Sequence, residues 1–480
     1  MNDPPVRAPS TRLPARLGAL AFALVLGAAL YSRPALAHAG SLAGSLRSVS
    51  APFWLVVLSG GGVVGVSFLF SSFVTDAAAL NALARPRRLF GSRRRRRAAA
   101  ERGRRLLGWA SVAVLALVVW TGLTGPTVPL ANLAVLVVWV GWWAGFTMFT
   151  YLVVDAWPVV NPWRTLARAV RRVAAERESG RAPARLPIRL GAWPSVVGLL
   201  GLVWVEVESP VASDPRVLAA AVLAYTVVTV AGAVRYGPAW FERVDPVSRV
   251  FRLYGLLAPI RRTDDGLAVS VPGAALVRYP EAMAEDDAAF VVALLWVTTY
   301  DGLAATAAWD GVRDWAAGVG APGWLLGLAL AFAGFACFLA VYRLAARLAR
   351  RTADTYVTAR FVAGWFAPAL VPIAAGYHLA HFLGYFLGLL PAFVAVASTP
   401  LSPPAALPVL ALPAWFGAVQ LAVVVGGHLV AVWVAHARSF DLFPGRLQPL
   451  RSQYPFVAVT VLYTVISLWV VAQPVAEAIR

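Results

Sequence analysis

The sequence predicts an all-α, polytopic transmembrane helix bundle of about ten spans, with N-terminus and C-terminus both outside. The chain has 480 residues and is 60% hydrophobic. Its mean hydropathy of +0.70 exceeds what a soluble domain reaches while burying one core. The remaining observation is the placement of arginine, which gathers in short connections between the apolar runs.

The N-terminus reads as an address. Arg7, Arg12 and Arg16 precede a short apolar core at 17–31, and Ala35-Leu36-Ala37 has the small-x-small pattern of a cleavage site. Residues 1–37 are therefore expected to be a cleaved signal peptide, with His38 first in the mature chain. Residues 38–480 then form one transmembrane domain of a multi-pass cell-membrane protein.

The expected spans are 51–74, 106–123, 133–154, 193–207, 218–234, 288–303, 324–344, 361–390, 415–434 and 455–471. Each approximates the ~20 residues that cross a ~30 Å hydrocarbon core. All must be helices, because lipid cannot satisfy an open sheet edge. Arginine is dense at 85–105, where it includes the run 93–97, and again at 164–189. It recurs between later spans, while Arg216 and Arg313 are the main ones in the alternate loops. The positive-inside bias then places both ends outside. The largest inner loop, 235–287, is expected to be cytoplasmic. Within it, 236–262 reads as an amphipathic surface helix and 267–276 as a small hairpin.

Composition excludes several classes. All 42 basic residues are arginine. Without lysine there is no Schiff base, hence no retinal pump or pyridoxal enzyme, and no P-loop of the usual kind. The net charge of +19 lies in topological loops, so no nucleic-acid partner is expected. The single cysteine, Cys337, reads as a packing residue. Gly61 with Gly65, and Gly384 with Gly388, are GxxxG pairs that mark close helix packing.

Chemistry can reside in few places. Three of the five histidines lie deep in spans. His378 and His381 are three residues apart, on one helix face. His428 follows Gly426 and Gly427 in the next span, an expected antiparallel neighbour. Three imidazoles at similar depth suit a divalent transition metal (zinc, iron or copper), a haem, or a proton relay. Asp301 and Glu206, towards the outer ends of their spans, are the candidate catalytic carboxylates, joining His381 in a cavity open to the outside. Asp155, at an inner end, is expected to be solvated.

Several segments run in order along the chain from the expected processed terminus to the last span. They are Ala37-His38-Ala39-Gly40, Asn161-Pro162-Trp163-Arg164, Trp204-Val205-Glu206, Ser213-Asp214-Pro215, Tyr300-Asp301-Gly302-Leu303, Val371-Pro372-Ile373 leading to His378 and His381, Gly427-His428, Ala435-His436-Ala437-Arg438, and Arg451-Ser452-Gln453-Tyr454-Pro455. Together they resemble a family of polytopic membrane proteins that carry the name fenitrothion hydrolase. The chain differs from that family at Phe382-Leu383-Gly384-Tyr385.

The resemblance implies hydrolysis of organophosphate triesters. Two functions of different class are thus expected. One is metal-dependent ester hydrolysis, with His378, His381 and His428 as ligands and a lowered water pKa. The other is a transporter or channel for a metal ion, a proton-coupled solute or an apolar compound. The partners are a lipid bilayer and a small molecule or ion.

Overall fold

The structure, a computed structural model, describes residues 53–91, 94–177, 183–263, 266–413 and 415–472. The expected signal segment 1–37, His38 and Arg93 lie outside the described residues. The long elements are α1 (Phe53–Ser71), α2 (Arg94–Thr124), α3 (Leu133–Leu152), α4 (Trp193–Glu208), α5 (Pro215–Tyr236), α6 (Pro246–Gly255), α7 (Glu285–Ala304), α8 (Gly323–Thr352), α9 (Val371–Ser398), α10 (Phe416–Leu442) and α11 (Leu447–Ala472).

Among the described residues, eight helices are long and apolar enough to cross a membrane, by length and composition. They correspond to eight of the ten expected spans and make this a multi-pass membrane protein. The other two are shorter. Helix α1 has 19 residues and α4 has 16. At 1.5 Å per residue α4 reaches only ~24 Å, short of a ~30 Å core. The expected span 361–390 is also modified. A helix at Ala359–Phe366 tightens into a 3-10 turn at Ala367–Leu370, next to Pro368 and Pro372, before α9 begins.

Caps start several helices. Asp214 Oδ1 accepts from the backbone N–H of Arg216 (2.8 Å), with Pro215 at the first turn of α5. Asn161 Oδ1 accepts from the N–H of Arg164 (2.9 Å), which starts the helix Pro162–Arg177. Asn132 caps α3 through the N–H of Ala134 and also donates to the carbonyls of Thr121 and Pro126. Two of the ordered segments, Asn161-Pro162 and Asp214-Pro215, therefore have a local structural cause.

Helix α7 is the axis of the bundle. In its apolar window 83% of residues are buried, against 22% in α2. It contacts α4, α8, α9 and α11. The polar residues at its C-terminal end, Thr298 to Asp301, consequently face protein.

Helices α9 and α10 pack together, as antiparallel neighbours should, and they cross where two glycines meet. A Cβ on Gly427 would lie 2.6 Å from the Pro372 carbonyl oxygen and 3.0 Å from Gly376 Cα. Gly426 has nothing within 4 Å. The Gly61/Gly65 pair is not such a crossing, since Gly65 also has nothing within 4 Å. Gly427→Ala is expected to push α9 from α10 and destabilise by ~1–3 kcal/mol, because backbone cannot give way as a side chain can. Thermal unfolding in detergent should show this, with Gly426→Ala melting like the parent chain.

The loop 235–287 departs from expectation. There is no single surface helix. Pro238 and Pro246 divide the segment into Pro238–Arg243 and α6, and α6 is buried, with Phe251 and Tyr254 fully inside. Arg249 pairs with Asp287 at 2.6 Å, donates to the Glu242 carbonyl at 2.7 Å and lies over the Phe290 ring, which ties α6 to α7. Burial of Phe251 and Tyr254 draws the segment off the surface, and the ion pair satisfies the charge that this burial would otherwise leave unpaired.

The hairpin starts earlier than expected, as β2 (Ile260–Thr263) and β3 (Gly266–Val269). A strand at Arg87–Gly91, called β1, pairs with β3 to give an antiparallel sheet in the order β1-β3-β2. Cys337 is exposed on α8 and is not a packing residue.

Asp155, expected to be solvated, is half-buried instead, and its Oδ1 has no hydrogen-bond partner. Its carboxyl group abuts Gly255, where a Cβ would come within 2.6 Å of Asp155 Cγ. Burial pushes its pKa up to about 6, against the opposing pull of the Arg261 guanidinium. The folded state therefore retains a proton that the unfolded chain loses near 3.8. Stability should fall as pH rises from about 4 to about 6 and stay lower above, by on the order of 2 kcal/mol. Asp155→Asn is expected to flatten that part of the melting-temperature profile.

Candidate functional site

A cavity of about 20 Å³ lies inside the bundle, between α3, α4, α6, α7 and α9. Each wall has a sequence cause. Helix α9 supplies His378 and His381 from one face, as their spacing of three requires, and Tyr377 beside them. Helix α7 supplies Thr298 and Asp301 from its buried end. Glu206 comes from α4, Tyr254 from α6 and Trp143 from α3.

Helix α3 is widened to a π-helix over Leu136–Phe146, a local geometry that often accompanies functional sites. Its glycines admit α9 closely. A Cβ on Gly145 would meet the Phe386 ring at 2.7 Å, and one on Gly141 would meet Phe393 at 3.3 Å.

The polar groups form pairs. His381 Nε2 lies 3.4 Å from Asp301 Oδ2, and both side chains are at most 10% exposed. Tyr151 Oη and His378 Nδ1 share a hydrogen bond of 3.1 Å. His378 Nε2 and the hydroxyls of Tyr254 and Tyr377 are buried without a partner atom. Gly302 makes room for the Tyr377 hydroxyl, which a Cβ there would meet at 2.0 Å. Aromatic rings complete the wall. Phe382 lies 4.7 Å from each imidazole centroid, and Trp143 meets His378 edge-on at 5.6 Å.

Four of the five candidate residues thus line one cavity: His378, His381, Asp301 and Glu206. His428 does not. It is fully buried on α10, and its Nδ1 bonds the Val424 carbonyl of its own helix at 2.8 Å. Its contact across α9 is made by Gly427 instead. Among the described residues, no three His, Cys, Asp or Glu side chains converge as a metal ion requires. The donor set does not fit the expected three-imidazole metal centre, nor does the cavity have room for a haem.

What the arrangement can do follows from its charges. An isolated carboxylate or imidazolium is costly in a low-dielectric interior. A carboxylate and an imidazole that share one proton are neutral as a pair, and the proton can sit on either. A cavity of about 20 Å³ holds roughly one water, which needs two to four polar partners. The unpartnered Tyr254, Tyr377 and His378 atoms supply them.

The carboxylates and the histidines were legible in the sequence. Tyr151, Tyr254, Tyr377 and Trp143 were missed, since an aromatic residue in an apolar run has no pattern that separates a cavity wall from packing. The same holds for Arg438, whose guanidinium is fully buried on α10.

Compared with family models, with curated proteins and with solved structures, the chain matches none.

Proposed function

We propose that this multi-pass membrane protein takes up and releases a proton at the His381–Asp301 pair and couples that exchange to movement of a small solute across the cell membrane. The observation that carries this is the pair itself: an imidazole and a carboxylate 3.4 Å apart, buried together against the most enclosed of the apolar helices. Ionisable groups at such depth are expensive, and chains of Asp, Glu and His are how pumps and transporters relay protons. Tyr151 and His378 extend the chain of exchangeable groups towards the end of α3. The cell membrane is assigned on the signal-like segment at 1–37.

The test is reconstitution into liposomes that enclose a pH-sensitive dye. Substrate-dependent proton entry, cancelled by a protonophore, supports the reading. A protein that moves no protons under any solute gradient ends it.

Ester hydrolysis, which the resemblance to the fenitrothion hydrolase family implies, is a second reading supported by the same pair. An imidazole held by a carboxylate is the arrangement of a general base, and the cavity has room for about one water. Hydrolysis of an aryl phosphotriester by purified protein, lost in His381→Gln, would favour it over transport.

A further inference from the structure

A second cavity adjoins the first. It measures about 170 Å³ and lies between α3, α4, α5, α6 and the helix Pro162–Arg177. Trp143, Val203 and Glu206 line both spaces, so the two share a wall. Four indole rings line the larger one, those of Trp139, Trp142, Trp143 and Trp163. Its remaining lining is aliphatic apart from Glu206 and Tyr225. Trp139 is 7% exposed, and its Nε1–H is buried without an acceptor.

From these features we infer that the larger cavity binds a small, neutral, single-ring aromatic molecule that carries one hydrogen-bond acceptor. Size sets the ring count, since a cavity of about 150 Å³ accommodates a benzene ring. The indoles favour a ring over an alkyl chain, because offset and edge-to-face contacts add ~0.5–1.5 kcal/mol per aromatic pair beyond area burial. The Trp139 N–H sets the acceptor, since a buried donor left unmade costs ~1–3 kcal/mol. A lipid tail brings no acceptor and would leave that donor unsatisfied. Anions are excluded by Glu206, the one carboxylate in the wall, and by the absence of a cationic side chain among the lining residues, while the cost of burying an ion against aliphatic and indole surface favours a neutral ligand over a cation.

The inference names the solute class for the proton-coupled reading and rests on that reading only for the coupling. Binding is measured without flux, by equilibrium dialysis of the intact protein in detergent with ring-labelled acetophenone. One saturable site is expected. Trp139→Phe should weaken acetophenone binding at least fivefold and leave ethylbenzene, which has no acceptor, unchanged. Ala221→Phe, which fills the cavity from α5, should remove both. Melting temperatures within a few degrees of the parent show that each variant is folded.

No saturable acetophenone site overturns the inference. So does equal weakening of both probes by Trp139→Phe, or displacement of acetophenone by oleate at lower concentration than by unlabelled acetophenone. The last result assigns the cavity to a lipid tail. Retained binding in Asp301→Asn with lost proton movement would show the two sites to be separable. Retained binding with no proton movement in the parent protein would sink the transport reading alone.

Discussion

Asp301→Asn is expected to lower proton movement at least tenfold while leaving the fold intact, a barrier change of ~1.4 kcal/mol or more. The two side chains have nearly the same shape, so the buried space beside His381 stays filled. Only the ability to take a proton is lost. The amide cannot neutralise an imidazolium 3.4 Å away, so the charged state of the pair becomes prohibitive in this setting. His381 should then remain neutral throughout. Dye-loaded vesicles give the rate, and a melting curve gives the control. An unchanged rate with an unchanged melting curve would remove the pair from the mechanism. Asp301→Glu keeps a titratable group but adds a methylene in a cavity of about 20 Å³, so partial activity at reduced stability is expected.

Arg438→Leu should give the largest loss of stability in the chain. The guanidinium is fully buried and acts as a clamp of five carbonyls: Trp365 (2.7 Å), Tyr279 (2.7 Å), Leu276 (3.2 Å), Glu281 (3.3 Å) and Val277 (3.4 Å). Its plane lies over the Trp365 ring, whose Nε1–H donates back to the Arg438 carbonyl at 2.8 Å. The clamp joins α10 to the turn after β3 and to the helix Ala359–Phe366. Removing it orphans several buried acceptors at once, for a cost of ~3–5 kcal/mol. Arg438→Lys should recover only part, because an ammonium cannot present a fork of donors. A thermal midpoint in detergent that does not move in Arg438→Leu would show that the carbonyls find other donors.

Nearby, His436 bonds Gln453 at 3.1 Å and the Val74 carbonyl at 2.9 Å, and Gln453 donates to Ser439 at 2.7 Å. The segments around Arg438 and Gln453, which stand out in the sequence, are thus a structural network that locks α1, α10 and α11. Their prominence there gives no sign of which role they hold.

The sequence by itself determined the class of fold, because runs of apolar residues and the arginines between them report on solvent, and solvent is read residue by residue. It also determined that His378 and His381 share a face, since their separation is a property of one helix. It placed His428 beside them by inference from neighbouring spans, and there it failed. Helix neighbours fix which elements touch, but the rotation of each about its own axis decides which side chains meet. On α10 that rotation sends Gly427 towards α9 and leaves His428 bonded to its own helix. Tertiary structure alone decided that a segment expected on the membrane surface enters the core to carry Tyr254, and that Glu206 divides two cavities. Each depends on contacts between residues far apart in the chain, where burial of a charge or a ring is settled by its partners.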